Sequence, residues 1–126
     1  MIEKNIDYLR ASDSTLLGSR EGLSSLILWT AIQQKTKQDF HNIVKYCLKL
    51  AEYAVQKMVK FGIHAWVNNF SPIVVFPKPN EKIIKKWSIA TYQNIAHIIT
   101  MPHMTKKIID KLITDIQIDM KKNGFL

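Results

Sequence analysis

The feature that most constrains the fold is a change of hydrophobic period at Gly62. Upstream, residues 39–60 place Phe40, Val44, Cys47, Ala51, Ala54 and Met58 at spacings of three and four. That spacing puts them on one helix face, with Asp39 suited to cap the start and Gly62 to stop the end. Downstream the period shortens. Residues 63–67 (IHAWV) alternate, NNFS turns, and residues 72–77 (PIVVFP) form a β-branched run between prolines. Segments of that length and pattern read as a hairpin or two adjacent strands. A chain that passes from period 3.6 to period 2 belongs to the α+β class rather than to the all-α or all-β class.

The remaining segments extend this pattern. NEKIIKKWSIA reads as a short helix with Ile83, Ile84 and Trp87 inward, and residues 95–100 (IAHIIT) as a third strand. A last helix from about Thr105 carries the stripe Ile108, Ile109, Leu112, Ile113 and Ile116. From Ile63 onward the expected order is β-β-α-β-α, with helices covering one face of a small, mostly antiparallel sheet. Before the 39–60 helix, another is expected from near Ser19 to about Gln34, striped by Leu23, Leu26, Ile27, Thr30 and Ala31. KTKQD breaks the two apart. Residues 2–8 are compatible with a short strand, and RASDST reads as a polar connector.

Composition narrows the function classes. At 126 residues the chain is one compact domain at most, or a piece of a larger one. Its 47% hydrophobic content suits a folded chain, yet no apolar run reaches the ~20 residues of a membrane span. The N-terminus MIEKNIDYLR mixes acid and base and does not read as a signal peptide, so the expected location is cytoplasmic, with no membrane partner. A single cysteine, Cys47, rules out an internal disulfide and argues against a cysteine-based zinc site. The net charge of +8 invites a nucleic-acid reading. However, only Arg10 and Arg20 are arginines, and the lysines are spread over the expected helices that follow Gln34. Solvated lysine faces explain that distribution better than a nucleic-acid partner does.

The histidines offer no ready metal or catalytic set. His97 and His103 flank the third strand and its Pro102 turn, six residues apart, while His41 and His64 lie in other elements. That spacing is not a metal-ligand pattern, and no Ser/His/Asp order or paired carboxylate stands out. The segment GSREG, residues 18–22, is a better candidate. Free N–H groups at a helix start, a Ser19 hydroxyl and the Arg20 guanidinium would together suit an anion, and Gly18 and Gly22 allow close approach. The plainer alternative is that Ser19 caps the helix and Arg20 makes a surface pair.

Taken in order, DSTLLGSREGLSSLILW, CLKLAEYAVQKM, GIHAW, VVFPKP, KKWSIA and IAHIITMPHMT resemble the C-terminal region of the group II pyridoxal-phosphate-dependent amino-acid decarboxylases. The resemblance covers essentially the whole chain. IAHIITMPHMT looks closer to the bacterial histidine decarboxylases than to the related plant-type serine decarboxylases, which tend to have Ser where His103 stands. It implies the C-terminal portion of a fold type I pyridoxal 5'-phosphate enzyme: two long helices, then the small α+β unit. Residues 1–35 would end the large cofactor-binding domain, 36–62 would form a long connecting helix, and 63–126 the small C-terminal domain.

The resemblance further implies a complete enzyme, a homodimer, that converts L-histidine to histamine and carbon dioxide. Gly18, Ser19 and Arg20 would approach the cofactor phosphate of the neighbouring subunit, although Glu21 departs from the uncharged residue usual there. His97 and His103 would lie on the amino-acid substrate side; in the tyrosine and aspartate enzymes the position of His97 is usually an Arg that meets the substrate carboxylate. The family's Schiff-base lysine, in a Ser-x-His-Lys motif, has no counterpart here, so the chain alone is expected to hold no catalytic residue, to leave the cofactor unanchored and to be inactive. Its expected partner is then an N-terminal half, if the protein is split. The alternatives are a serine or other amino-acid decarboxylase, and a non-catalytic α+β binding module or gene remnant. Apolar surface on the first two helices is expected to lie uncovered and to promote self-association.

Overall fold

A computed structural model describes residues 22–122, which form helix α1 (Gly22–Gln34), helix α2 (Lys37–Lys60), strand β1 (Trp66–Val67), strand β2 (Ile73–Pro77), helix α3 (Glu81–Trp87), strand β3 (Ala90–Tyr92), strand β4 (Ile95–Ile99) and helix α4 (Lys106–Lys122). The expected strand in residues 2–8, the helix start near Ser19, and Gly18, Ser19 and Arg20 lie outside the described residues. The α+β class is as read from the sequence, with one strand, β3, more than expected after Ile63. All strand pairs are antiparallel, in the order β1-β2-β4-β3.

The core lies between one face of this sheet and helices α2 and α4. Val74 and Phe76 of β2 and Ala96 of β4 point into it and meet Leu50, Ala51, Ala54 and Met58 of α2. Ile109, Leu112, Ile113 and Ile116 of α4 complete it. Full burial of side chains of this size is worth roughly 1.5–3 kcal/mol each, so this layer holds the fold together. Thr100, just past β4, is also buried; its hydroxyl lies 2.8 Å from the Cys47 carbonyl oxygen and 3.1 Å from that of Pro72. One side chain thus ties α2, the start of β2 and the end of β4.

Three acids spaced along α4 each hold a different element. Asp110 accepts from Tyr53 Oη at 2.7 Å and from Lys57, joining α4 to α2. Asp115 accepts from Trp87 Nε1 at 2.7 Å and pairs with Lys86 at 2.7 Å, joining α4 to α3. Asp119 accepts from the Asn80 backbone N–H at 3.0 Å and from its side-chain amide, fixing the β2–α3 connection. Lys57 holds the Asp110 carboxyl below its ordinary pKa, aided by Tyr53, while Asp110 raises that of Lys57. Lys86 and then Trp87 lower that of Asp115.

Several local expectations are corrected. Asp39 is not the N-cap of α2. Thr36 is, with its Oγ1 accepting from the Asp39 N–H at 3.2 Å while the Asp39 carboxylate accepts from the Thr36 N–H at 2.8 Å. This is a reciprocal capping box, and it starts the helix two residues earlier. Phe40 and Val44 are exposed, because the first turns of α2 precede its contact with the core at Cys47. Ile108 is partly exposed, since the buried stripe of α4 runs from Ile109 through Met120.

Candidate functional site

Among the described residues no element covers the other face of the sheet, and His97 sits at its centre. Successive side chains on a strand point to opposite faces. Ala96 therefore faces the core, and Ile95, His97 and Ile99 face away from it. The register assembles a lateral row across all four strands: Trp66 lies opposite Val75, Val75 opposite His97, and His97 opposite Ala90. Flanking rows pair Ile73 with Ile99, and Ile95 with Pro77 on one side and Tyr92 on the other. His97 is half-buried because these neighbours flank it on both sides, so it is no core residue. His64 joins the edge of this face, its ring 5.6 Å from that of Trp66 and tilted by 57°.

This surface carries no formal charge. None of the four strands contains Lys, Arg, Asp or Glu. Five of its large side chains (Trp66, Ile73, Tyr92, Ile95 and Ile99) are between 36 and 59% exposed. His103 is exposed in the connection from β4 to α4, beyond the sheet. The structure therefore puts His97 on an open apolar wall and His103 outside the strand rows. Trp66, Val75 and Tyr92 were not singled out in the sequence. The alternation of IHAWV and IAHII was the available signal, but pairing partners on separate strands require the register.

A cleft of about 930 Å³ opens beside this sheet, lined by His64, Lys78, Asn80, Asn94, Asp119 and Met120 among others. These residues do not fit pyridoxal phosphate. Lys78 pairs with Glu81 at 3.4 Å, and the Asp119 carboxylate would repel a phosphate while already engaged by Asn80. No group of three or more metal-ligating side chains occurs among the described residues. Nor is any described helix long and apolar enough to cross a membrane.

Together, the antiparallel sheet with helices on one face and the long helix leading into it define an α+β layer of the kind found in pyridoxal-phosphate decarboxylases. The described fold matches L-methionine decarboxylase from Streptomyces sp. 590 with a TM-score of 0.72 and 25% identity, over 92% of this chain and 26% of that one. In sequence the chain is 45% identical over 120 residues to histidine decarboxylase of Vibrio campbellii, and 43% over 123 residues to that of Vibrio anguillarum. The histidine decarboxylase of Morganella morganii is 41% identical over 119 residues. No protein-family model matches. The chain belongs with the group II pyridoxal-phosphate-dependent amino-acid decarboxylases and corresponds to their C-terminal region. It covers 94–97% of itself in the two Vibrio alignments but spans only about a third, 31–32%, of those relatives' length.

Proposed function

We propose that this chain is the C-terminal third of a cytoplasmic, homodimeric decarboxylase that converts L-histidine to histamine and carbon dioxide. The observation that carries this reading is the near end-to-end match of 94–97% of the chain to histidine decarboxylases. In this reading residues 1–35 end the large cofactor-binding domain, 36–62 connect, and 63–126 form the small domain. Helix α1 supports that division. It has no charged residue and no buried one, and Leu23, Leu26, Ile27, Leu28, Trp29 and Ile32 are 51–62% exposed around its whole circumference. A helix apolar on every side belongs inside a larger core.

Within the complete enzyme, His97 is the substrate-side contact offered by the open face of the sheet, and His103 lies further along the same connection. In this reading Gly18, Ser19 and Arg20, which lie outside the described residues, approach the phosphate of the cofactor bound by the neighbouring subunit. The cofactor, when bound, supplies the electron sink for loss of carbon dioxide. The described residues provide no anchor for it, and their role is to orient and enclose the substrate.

A second reading, a decarboxylase of another amino acid, draws on the structural likeness to a methionine decarboxylase. Two measurements test these. The purified chain, incubated with pyridoxal phosphate and reduced with borohydride, should show no single-site lysine adduct and no decarboxylation; an adduct with activity refutes the division of roles. The full-length enzyme carrying this chain should prefer histidine over serine, tyrosine and glutamate, and His97→Ala should raise KM for histidine at least about tenfold, the cost of ~1.4 kcal/mol.

A further inference from the structure

We infer that the cleft beside the sheet is a binding site for a free α-amino acid, held by its two charges between Asp119 and Lys78. None of Trp66, Val75, His97 and Tyr92 lines this cleft. The site is therefore separate from the face that carries His97, and its failure would leave the decarboxylase reading standing.

Three connections and the last turn of α4 meet there. Strand β2 ends at Pro77 opposite Ile95, where β4 begins, so the β2–α3 link emerges next to the β3–β4 turn. The Lys78 N–H donates to the Asn94 carbonyl oxygen at 3.0 Å and holds these two segments together. Gly62, at φ 81°, adopts a left-handed conformation that a side chain would strain, and it turns the chain from the end of α2 toward His64. The end of α4 brings up Asp119 and Met120. Loops gathered at one end of a rigid scaffold are where ligand sites are commonly built.

The lining combines an apolar floor with one formal charge of each sign. Ile63, Pro79 and Met120 are buried and offer apolar surface. Asp119 is only 7% exposed, and the donors that it accepts from Asn80 are a backbone N–H and an amide, both neutral, which leave the carboxylate's charge in place. Lys78 stands two residues before Asn80, within about 7 Å along the backbone. Its pairing with Glu81 at 3.4 Å joins two side chains that are both more than a third exposed, and a surface pair of that kind is too weak to keep the ammonium from a ligand. An anion entering the cleft meets repulsion from Asp119, and a simple amine meets it from Lys78. A zwitterion with its ammonium at Asp119 and its carboxylate at Lys78 satisfies both. An α-amino acid carries these two charges on one carbon, which leaves its side chain to lie against Met120 and Pro79. A cleft of about 930 Å³ has ample room for it.

The test is a nuclear magnetic resonance titration of the chain, labelled with carbon-13 at its methionine methyl groups, with L-leucine and with L-histidine. The Met120 signal, assigned through Met120→Leu, should shift on titration, while that of Met58, buried outside the cleft, should stay in place. Removing either ligand charge should weaken binding at least about tenfold: isoamylamine and histamine lack the carboxylate, and N-acetyl-L-leucine lacks the ammonium. Lys78→Ala removes an exposed side chain and should lower the affinity for L-leucine to that for isoamylamine, whereas Lys85→Ala, exposed on α3 and outside the lining, should leave it unchanged. No Met120 shift with either amino acid at ~20 mM, well above a millimolar Kd, overturns the site. So does an amine that binds as tightly as its parent amino acid, or a titration that Lys78→Ala leaves unaltered.

Discussion

Asp119→Ala and Asn80→Ala, singly and together, measure how the C-terminal helix is tied to the rest of the fold. Asp119 is 7% exposed and accepts both the backbone N–H and the side-chain amide of Asn80. Hydrogen bonds to a charged group contribute about 1.5–3 kcal/mol. Asn80 is itself exposed, so its freed donors regain water and the loss from Asp119→Ala falls at the low end, about 2 kcal/mol. Asn80→Ala costs more than this bond alone. Its Oδ1 also caps α3, accepting from the N–H groups of Lys82 at 2.9 Å and Ile83 at 3.2 Å. Losing an N-cap costs ~1 kcal/mol, which brings the single variant to about 2.5 kcal/mol.

The double variant should then cost about 3 kcal/mol, well short of additive, with a coupling of about 1.5 kcal/mol. Urea unfolding followed by far-ultraviolet circular dichroism gives these values by linear extrapolation. The measurement belongs at protein concentrations where the midpoint no longer depends on concentration. Additivity within about 0.5 kcal/mol would show that Asp119 and Asn80 act independently and would refute the reasoning.

Two other predictions concern charge and apolar surface. Because the carboxyls of Asp110 and Asp115 are depressed in the fold, their contribution to stability is complete above the ordinary carboxylate pKa of ~3.9 and is lost as pH falls through the lowered folded values. Asp110→Asn with Asp115→Asn should flatten the acid limb of a stability–pH curve below about pH 4, and an unchanged limb would contradict this assignment. Isolated chain should self-associate through α1, and Leu26→Lys with Trp29→Lys should shift light-scattering masses toward the monomer; wild-type monomer at high concentration would count against it.

The elements were legible where a single segment carries its own signal. Helix α2 and helix α4 declare themselves by long stripes, and β2 by a β-branched run between prolines. Strand β3 was not legible, for two local reasons. Ser88 ends α3 in the left-handed region at φ 50°, where a glycine is the usual signal, and Gln93 takes the same region at the β3–β4 turn. With neither stop marked by glycine, SIA read as helix. Asp39 was recognised as an end signal but given the wrong position, because Thr36 and Asp39 act as a pair three residues apart. His97 was legible as a strand residue, but not its side of the sheet.

What the sequence determined by itself is local: hydrophobic period names helix or strand, and six motifs in one order mark the decarboxylase resemblance. Which faces are covered was decided only by tertiary structure. Phe40 and Val44 follow the same helical stripe as Ala51 and Met58, yet two are exposed and two buried. Likewise Ala96 and His97 are neighbours on one strand, with the first in the core and the second on the open face. Period 2 says that adjacent side chains part company, but packing alone decides which of them meets the helices. The row from Trp66 to Ala90 joins residues from four strands, and only the hydrogen-bond register brings them together.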